Sequence, residues 1–141
     1  MKKYETMEHT ADVKLRIRGT DLEELFENGA CAVYDLIADA AALAEEKPEI
    51  HKRFSLKAEN PGALFLLWLR EILFSFSVRH FVGVKYRFIH LEDTQLEAEV
   101  FGRKFDPKRH DQKHEVKAVT YHDFKFEKTK DGWLAEVIFD V

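Results

Sequence analysis

The sequence predicts an α+β fold: a mixed, largely antiparallel sheet with two main helices. Two segments with helix-capping residues and helical apolar spacing occur early, and alternating segments separated by short turns fill the later part of the chain. Helices followed by a run of strands are typical of α+β domains. No repeat or long linker divides the 141 residues, so we expect residues 1–141 to form a single domain.

The first predicted strand leads into the first predicted helix. Apolar and basic side chains alternate over residues 13–18, as in a half-buried strand. The segment Thr20–Glu23 has the form of a capping box, in which two side chains bind each other's free backbone amides. Apolar residues at helical spacing then predict a helix as far as about Asp39. Residues 40–49 are expected to connect this helix to the next strand.

The second helix is predicted to be covered on more than one side. It follows an alternating segment at residues 53–58 and begins at Asn60, a good N-cap, and Pro61, which suits the first helical position. Between residues 64 and 76 apolar side chains occur nearly all round the helix. A helix of this kind is either the central helix of a domain or part of an interface.

Further strands are predicted after this helix from alternation and from turn residues. They are Val82–Leu91, Leu96–Arg103, Val116–Tyr121, Phe124–Lys128 and Trp133–Val141. Residues 104–114 are expected to form a charged loop.

Composition weighs against several functions. The formal charge is −4, which disfavours direct, tight nucleic-acid binding because that depends on neutralising phosphates. A single cysteine excludes an internal disulfide and fits a reducing compartment. The first five residues lack the apolar stretch of a signal peptide, and Arg70 and Glu71 interrupt the longest apolar run. We therefore expect a cytoplasmic protein.

Two aspartates near opposite ends of the chain are candidate metal ligands. Asp12 and Asp140 each have the polar parity of their predicted strands. Hard cations such as Ca²⁺ and Mg²⁺ bind several oxygen ligands, and Val141, the last residue, can add main-chain or terminal carboxylate oxygen. The pattern does not show that the two strands are neighbours. Solvated surface acids beside Lys or Arg are therefore the alternative.

Other chemistry has less support in the sequence. It lacks the His-Glu-x-x-His and cysteine-cluster patterns of zinc sites, the Gly-x-Ser-x-Gly turn of hydrolases and the glycine patterns that bind phosphates. Cys31 has acidic or neutral helical neighbours, which do not activate a thiol. Glu71, among apolar residues, is expected to be a buried and paired acid.

A few polar residues are candidates for docking or for supporting a ligand. His9 lies three residues before Asp12 and can orient a ligand, although such a histidine more often binds the backbone. Lys117, His122 and the basic side chains of residues 14–18 form either a docking surface or an ordinary charged sheet face.

Several motifs together resemble the archease family over nearly the whole chain. In order they are His9–Val13, Leu22–Phe26, Trp68–Leu73, Phe105–Pro107 with His110, Val116–His122, Gly132–Trp133 and Phe139–Val141. Each is weak alone, whereas their order and spacing together are specific. Arg70 and Val141 depart from the residues that relatives more often carry.

The resemblance implies a strand-helix-strand-strand unit with an insertion, and a non-catalytic role. Archease proteins are protein cofactors of the GTP-dependent tRNA-splicing RNA ligase, which joins 2′,3′-cyclic phosphate or 3′-phosphate ends to 5′-hydroxyl ends. They promote guanylylation of the ligase and its multiple turnover. The resemblance also implies a divalent cation site, with Asp12, Asp140 and Val141 as ligands here, and RNA contact only through the ligase.

Two other functions stay open at this point. A small metal-dependent enzyme would turn over a phosphoester without the ligase. A general chaperone or adaptor for RNA-processing proteins would bind them through the apolar helix and the basic strand face, indifferent to Asp12 and to chelators.

Overall fold

The computed structural model describes residues 3–8 and 12–141. In chain order its elements are β1 (Tyr4–Glu8), β2 (Asp12–Gly19), α1 (Leu22–Ile37), α2 (Ala40–Ala44), β3 (Ile50–Lys57), α3 (Pro61–Arg79), β4 (Phe81–Leu91), β5 (Gln95–Lys104), β6 (Ala118–Thr129) and β7 (Gly132–Asp140). The α+β class is confirmed, and α1 and α3 are the two predicted main helices.

The strands divide between two sheets. The larger sheet has the order β1-β2-β7-β6, and the smaller has the order β3-β5-β4. Every pairing among the described strands is antiparallel. Because all of β2 pairs with β7, the larger sheet joins an early strand to the last one.

The helices α1 and α3 lie between the two sheets. α1 packs against β2 of the larger sheet and β4 of the smaller, while α3 packs against β6 on one side and β3, β4 and β5 on the other. This position explains why α3 is apolar nearly all round and identifies it as the central helix of the fold. Its length and composition would also suit a membrane span, but both sheets cover it.

The centre of the core is Trp68 on α3. Its side chain is fully buried, and its Nε1–H donates a 2.8 Å hydrogen bond to the Phe26 carbonyl of α1. From the smaller sheet, the Phe54 and Phe88 rings pack against the indole at centroid distances of 5.2 and 5.8 Å. The one polar atom of this large side chain is therefore satisfied inside the core.

The start of α1 corrects the predicted capping box. The N-cap is Asp21, whose carboxylate accepts the Glu24 amide at 2.8 Å, and Glu24 rather than Glu23 accepts the Thr20 amide. Thr20 and Asp21 both carry a side-chain oxygen that can cap a helix, and the local sequence pattern predicted Thr20 instead of Asp21.

The end of α1 and the connection after it also differ from the prediction. The helix ends at Ile37 rather than about Asp39, because Ala38 is extended and forms an isolated bridge with Gln112. Asp39 then caps the short helix α2, within residues 40–49 that were expected to be a plain connection.

Two strands differ from the prediction as well. β1 was not predicted, because this strand has only five residues and most of them are polar. β6 is one strand rather than two, with a shift of register between Thr120 and Lys125. Within that shift Asp123 has φ 51°, a left-handed conformation that lets the chain bulge away from β7.

Candidate functional site

The structure brings the two candidate aspartates together. In the β2–β7 register Asp12 lies directly opposite Asp140, and Ala118 of β6 lies opposite Asp140 on its other side. Residues directly opposite each other point to the same face of a sheet, with Cβ atoms about 4.5–5.5 Å apart. The sequence left open whether these strands are neighbours, and the register answers that question.

Both aspartates are on the outward face of the larger sheet. The inward face is formed by residues such as Leu15, Val137 and Phe139, which are buried in the core. Asp12 and Asp140 have the opposite parity; Asp140 is exposed and Asp12 is half-buried. The pair therefore lies at the end of the two inner strands, β2 and β7, where another molecule can approach; this site is called the corner below.

Two further residues of the predicted site lie at the same corner. The Lys117 amide donates a 2.7 Å hydrogen bond to the Asp140 carbonyl, and the Lys117 side chain is exposed. Val141 follows Asp140 directly, and its side chain packs against the edge of the core. Its main-chain oxygens are therefore adjacent in sequence and space to Asp140.

One of the other two predicted docking residues, His122, lies away from this corner. His122 lies in the β6 bulge, beyond Thr120, where its imidazole is 3.4 Å from the Asp123 carboxylate. His9 lies outside the described residues, so its predicted role stays a prediction.

The donors at the corner fit a hard divalent cation. The carboxylates of Asp12 and Asp140 and the main-chain oxygen of Val141 are all oxygen ligands, as Ca²⁺ and Mg²⁺ prefer. Within residues 3–8 and 12–141, no group of three or more His, Cys, Asp or Glu side chains could hold a metal ion. A cation bound by the pair would therefore need water, main-chain oxygen or a partner's groups to complete its coordination.

An ion-pair network centred on Glu136 covers the sheet next to the carboxylates. Glu136 is 7% exposed, and its two oxygens lie 2.7 Å from Arg16 Nε and 3.3 Å from Lys14 Nζ. Glu5 binds Arg16 at 2.8 Å and Arg18 at 3.3 Å. The basic face predicted as a docking surface is thus paired with acids of the same sheet, which favours the ordinary charged sheet face.

The environment of Glu136 also sets its protonation. Burial alone raises the pKa of this carboxyl group, but the hydrogen bonds and positive charges of Arg16 and Lys14 outweigh burial and hold the pKa below its ordinary value of 4.5. Glu136 therefore stays negatively charged at neutral pH. Sequence reasoning named the three basic residues but missed Glu5 and Glu136 as their partners, because the pairing depends on register.

Other candidate groups have structural explanations. The His110 Nδ1 accepts the Asp106 amide at 2.9 Å and its Nε2 is 3.0 Å from Glu46, so this histidine holds its loop. Burial raises the pKa of the Cys31 thiol and nearby Glu27 raises it further, which does not suit a nucleophile. Glu71 is half-buried, so the prediction of a buried acid was wrong.

A cavity adjoins the corner. It has a volume of about 730 Å³, lies between the end of α3 and residues 112–117, and is lined by His80, His114 and Lys117 among others. Sequence reasoning did not find this cavity, because residues 112–117 carry no periodic pattern that would locate them against the helix.

Comparisons with known proteins give relatives over nearly the full chain. The model of the Archease protein family matches residues 4–141. The chain is 37% identical over 146 residues to Protein archease of Pyrococcus abyssi, covering all of both chains. It is 35% identical over 144 residues to Protein archease of Methanosarcina acetivorans, covering 99% of this chain and 97% of the relative.

Two solved structures have the same fold. The solution structure of a Methanobacterium thermoautotrophicum protein matches with a TM-score of 0.82 and 28% identity, covering all of both chains. A Thermotoga maritima crystal structure, described as an archease and possible chaperone, matches with a TM-score of 0.66 and 22% identity, covering 96% of this chain and 94% of that one.

Proposed function

The chain belongs to the archease family, and from that premise we propose that it is a non-catalytic activator of the GTP-dependent RNA-splicing ligase. In this role it promotes guanylylation of the ligase and so permits repeated joining of RNA ends that carry 2′,3′-cyclic phosphate or 3′-phosphate to 5′-hydroxyl ends. RNA is contacted through the ligase, in keeping with a net charge of −4.

The observation that carries this proposal is the register that places Asp12 opposite Asp140 on an outward corner. Such a corner suits entry into, or contact with, the active site of another protein. Guanylyl transfer depends chiefly on positioning and on stabilising phosphoryl charge. A bound Ca²⁺ or Mg²⁺ would supply positive charge close to phosphate oxygens.

Each residue of the corner has a distinct part in the proposal. Asp12 and Asp140 provide the carboxylate ligands, and Val141 provides main-chain oxygen. Lys117 is tied to Asp140 by its backbone amide; its exposed side chain has the parity of inward-facing Val119 and lines the cavity at the end of α3. In the proposal, the Lys117 ammonium group contacts an acidic residue or a phosphate of the partner complex.

The experiment is multiple-turnover ligation by the cognate ligase with GTP and divalent metal, with this protein absent or substoichiometric. We expect the wild type to accelerate turnover, and Asp12→Ala and Asp140→Ala each to remove about tenfold or more of that acceleration, as expected for loss of one electrostatic contact to reacting phosphates. Circular dichroism and thermal melting of both variants should match the wild type.

A matched control removes a carboxylate from the other sheet. Glu97 on β5 is paired with Arg53 at 2.8 Å, and Glu97→Ala should activate the ligase normally. Normal activation by Asp12→Ala would contradict the proposed role of the corner, and no acceleration by the wild type would contradict ligase activation itself.

A general chaperone or adaptor is the second candidate, and exposed apolar side chains favour it. Phe74 and Val78 lie one turn apart on α3 and are 60% and 58% exposed, and Tyr121 in the β6 bulge is 70% exposed. This function predicts binding to RNA-processing proteins that survives both Asp12→Ala and a chelator. Pull-down of the ligase with and without EDTA separates the two candidates.

A further inference from the structure

We propose that Glu136 is a positioning residue for the carboxylate pair: by binding Lys14, it keeps the Lys14 ammonium group away from Asp140 and Asp12. The inference rests on the proposed function, since it concerns the same cation site. It assigns a role to an acid that would not itself touch the cation.

The register gives Lys14 a choice of acids. Lys14 lies directly opposite Ile138, so Glu136 and Asp140 are its two diagonal neighbours on β7. Diagonal neighbours on one face are about 7–8 Å apart, within reach of a lysine side chain. Asp12 is two residues away on the same strand, about 6.6 Å along the same face.

The structure shows which acid Lys14 takes. Its Nζ lies 3.3 Å from the Oε1 of Glu136, and the Lys14 side chain is only 18% exposed. Ile138, between the two diagonal acids, is 2% exposed. Lys14 is therefore packed along the sheet in a defined direction, away from the corner that carries Asp140.

Glu136 is the better acceptor because other side chains fix it in place. Its second oxygen accepts Arg16 Nε at 2.7 Å, and Arg16 is in turn held by Glu5 at 2.8 Å. A buried carboxylate whose geometry is already set loses less side-chain entropy on pairing than exposed Asp140 would. Lys14 consequently favours Glu136.

The consequence for the corner is electrostatic. A lysine paired with Asp140 would place a positive charge where a divalent cation has to bind, and the two cations would compete. With Glu136 present, the Lys14 ammonium group is held toward the Arg16–Glu136 pair, which lies farther from the corner than Lys14 itself. Loss of Glu136 would release Lys14 to move to the corner.

The test is a double-mutant cycle on cation affinity. Ca²⁺ is titrated at low ionic strength into wild type, Glu136→Gln, Lys14→Met and the double variant, and binding is followed through the backbone amide NMR signals of Asp12, Ala118 and Asp140. We expect Glu136→Gln to weaken Ca²⁺ binding about tenfold, and Lys14→Met in that background to restore wild-type affinity or better. Lys14→Met alone should change affinity by about twofold.

Control variants distinguish the effect of the position of Glu136 from the effect of net charge and from misfolding. Glu97→Gln removes the same charge from the Arg53 pair on the smaller sheet and should leave affinity within about twofold of the wild type. Glu136→Asp keeps the charge but withdraws it from Lys14, so it should weaken binding in the same direction as Glu136→Gln. If Glu136→Gln loses structure, Glu136→Asp replaces it in the cycle, with dispersed amide signals showing that this variant is folded.

The outcomes distinguish this inference from the proposed function. If Lys14→Met has the same effect with and without Glu136, the two residues do not act together and the inference is overturned, while the cation site stands. If the wild-type amides show no saturable response to Ca²⁺, and Mg²⁺ gives the same result, then both the cation site and the inference fail.

Discussion

Each sheet presents a charged face to solvent, but the ion pairs around Glu136 on the larger sheet differ from those of Arg53 and Arg87 on the smaller one. On the larger sheet the side chains of Glu136 and Arg16 are 9% and 29% exposed, and each binds two partners of opposite charge. On the smaller sheet Arg53 and Arg87 are 58% and 68% exposed, and each pairs with one glutamate of β5, at 2.8 and 3.8 Å.

The difference follows from the position of the strands. Arg16 and Glu136 lie on β2 and β7, which are the inner strands of the larger sheet, so each has neighbours on both sides. Arg53 and Arg87 lie on β3 and β4, the edges of the smaller sheet. The same alternation of charged and apolar residues therefore produces a shared network around Glu136 and separate, solvated pairs at Arg53 and Arg87.

The largest expected difference is in stability. Glu136→Ala leaves Lys14 and Arg16 without their common acceptor, and we expect it to lower the free energy of unfolding by about 1–3 kcal/mol. Glu97→Ala breaks a solvated pair and should cost less than about 0.5 kcal/mol. Urea unfolding of both variants measures the two values. Equal losses would show that the two faces hold their charges alike.

A smaller difference is expected in the pairwise interactions. A double-mutant cycle on Arg16 and Glu136 should give a larger coupling free energy than one on Arg53 and Glu97, whose side chains are more exposed to solvent. Because salt screens exposed charges more than covered ones, repeating both cycles in 1 M NaCl should reduce the Arg53–Glu97 coupling proportionally more. The comparison between the sheets is wrong if the Arg16–Glu136 coupling is the more sensitive to salt.

The smallest expected effect is a pH dependence specific to Glu136. Because the pKa of Glu136 is lower in the folded state than its ordinary value of 4.5, its ionised form contributes stability above that pH. This contribution is lost as pH falls from about 4.5 through the folded-state pKa. The difference in unfolding free energy between wild type and Glu136→Gln should therefore shrink as urea unfolding is repeated from pH 6 to pH 3. A difference that grows toward acid pH would contradict the assigned direction.

Much of the secondary structure was predictable because its causes are local. Asn60 caps α3, accepting the Ala63 amide at 2.8 Å, and Pro61 occupies the first helical position, both as predicted. The alternation of apolar and basic residues predicted β2 equally well. The errors lie where two local solutions compete, as at the Thr20 and Asp21 caps, or where an unusual conformation such as that of Asp123 keeps one strand continuous through a bulge.

The candidate site was predictable only in part. Parity marked Asp12 and Asp140 as outward-facing, and the family resemblance named them with Val141 as cation ligands. Neither the parity nor the resemblance showed that the two residues are neighbours, because Asp12 and Asp140 belong to strands from opposite ends of the chain. Glu136 shows the same limit: its partners Lys14 and Arg16 were visible as a basic face, while the acid that pairs with them was not.

The sequence by itself determined the class of fold, the two main helices, the face of each strand that turns outward and the family to which the chain belongs. These features depend on residue spacing and on contacts within a few positions along the chain. The tertiary structure alone decided that the strands form two sheets around the helices, that Asp12 meets Asp140, and that Lys14 turns toward Glu136. Those outcomes depend on strand order and register, which are set by packing between distant segments, and a shift of one residue would reverse the face of every side chain.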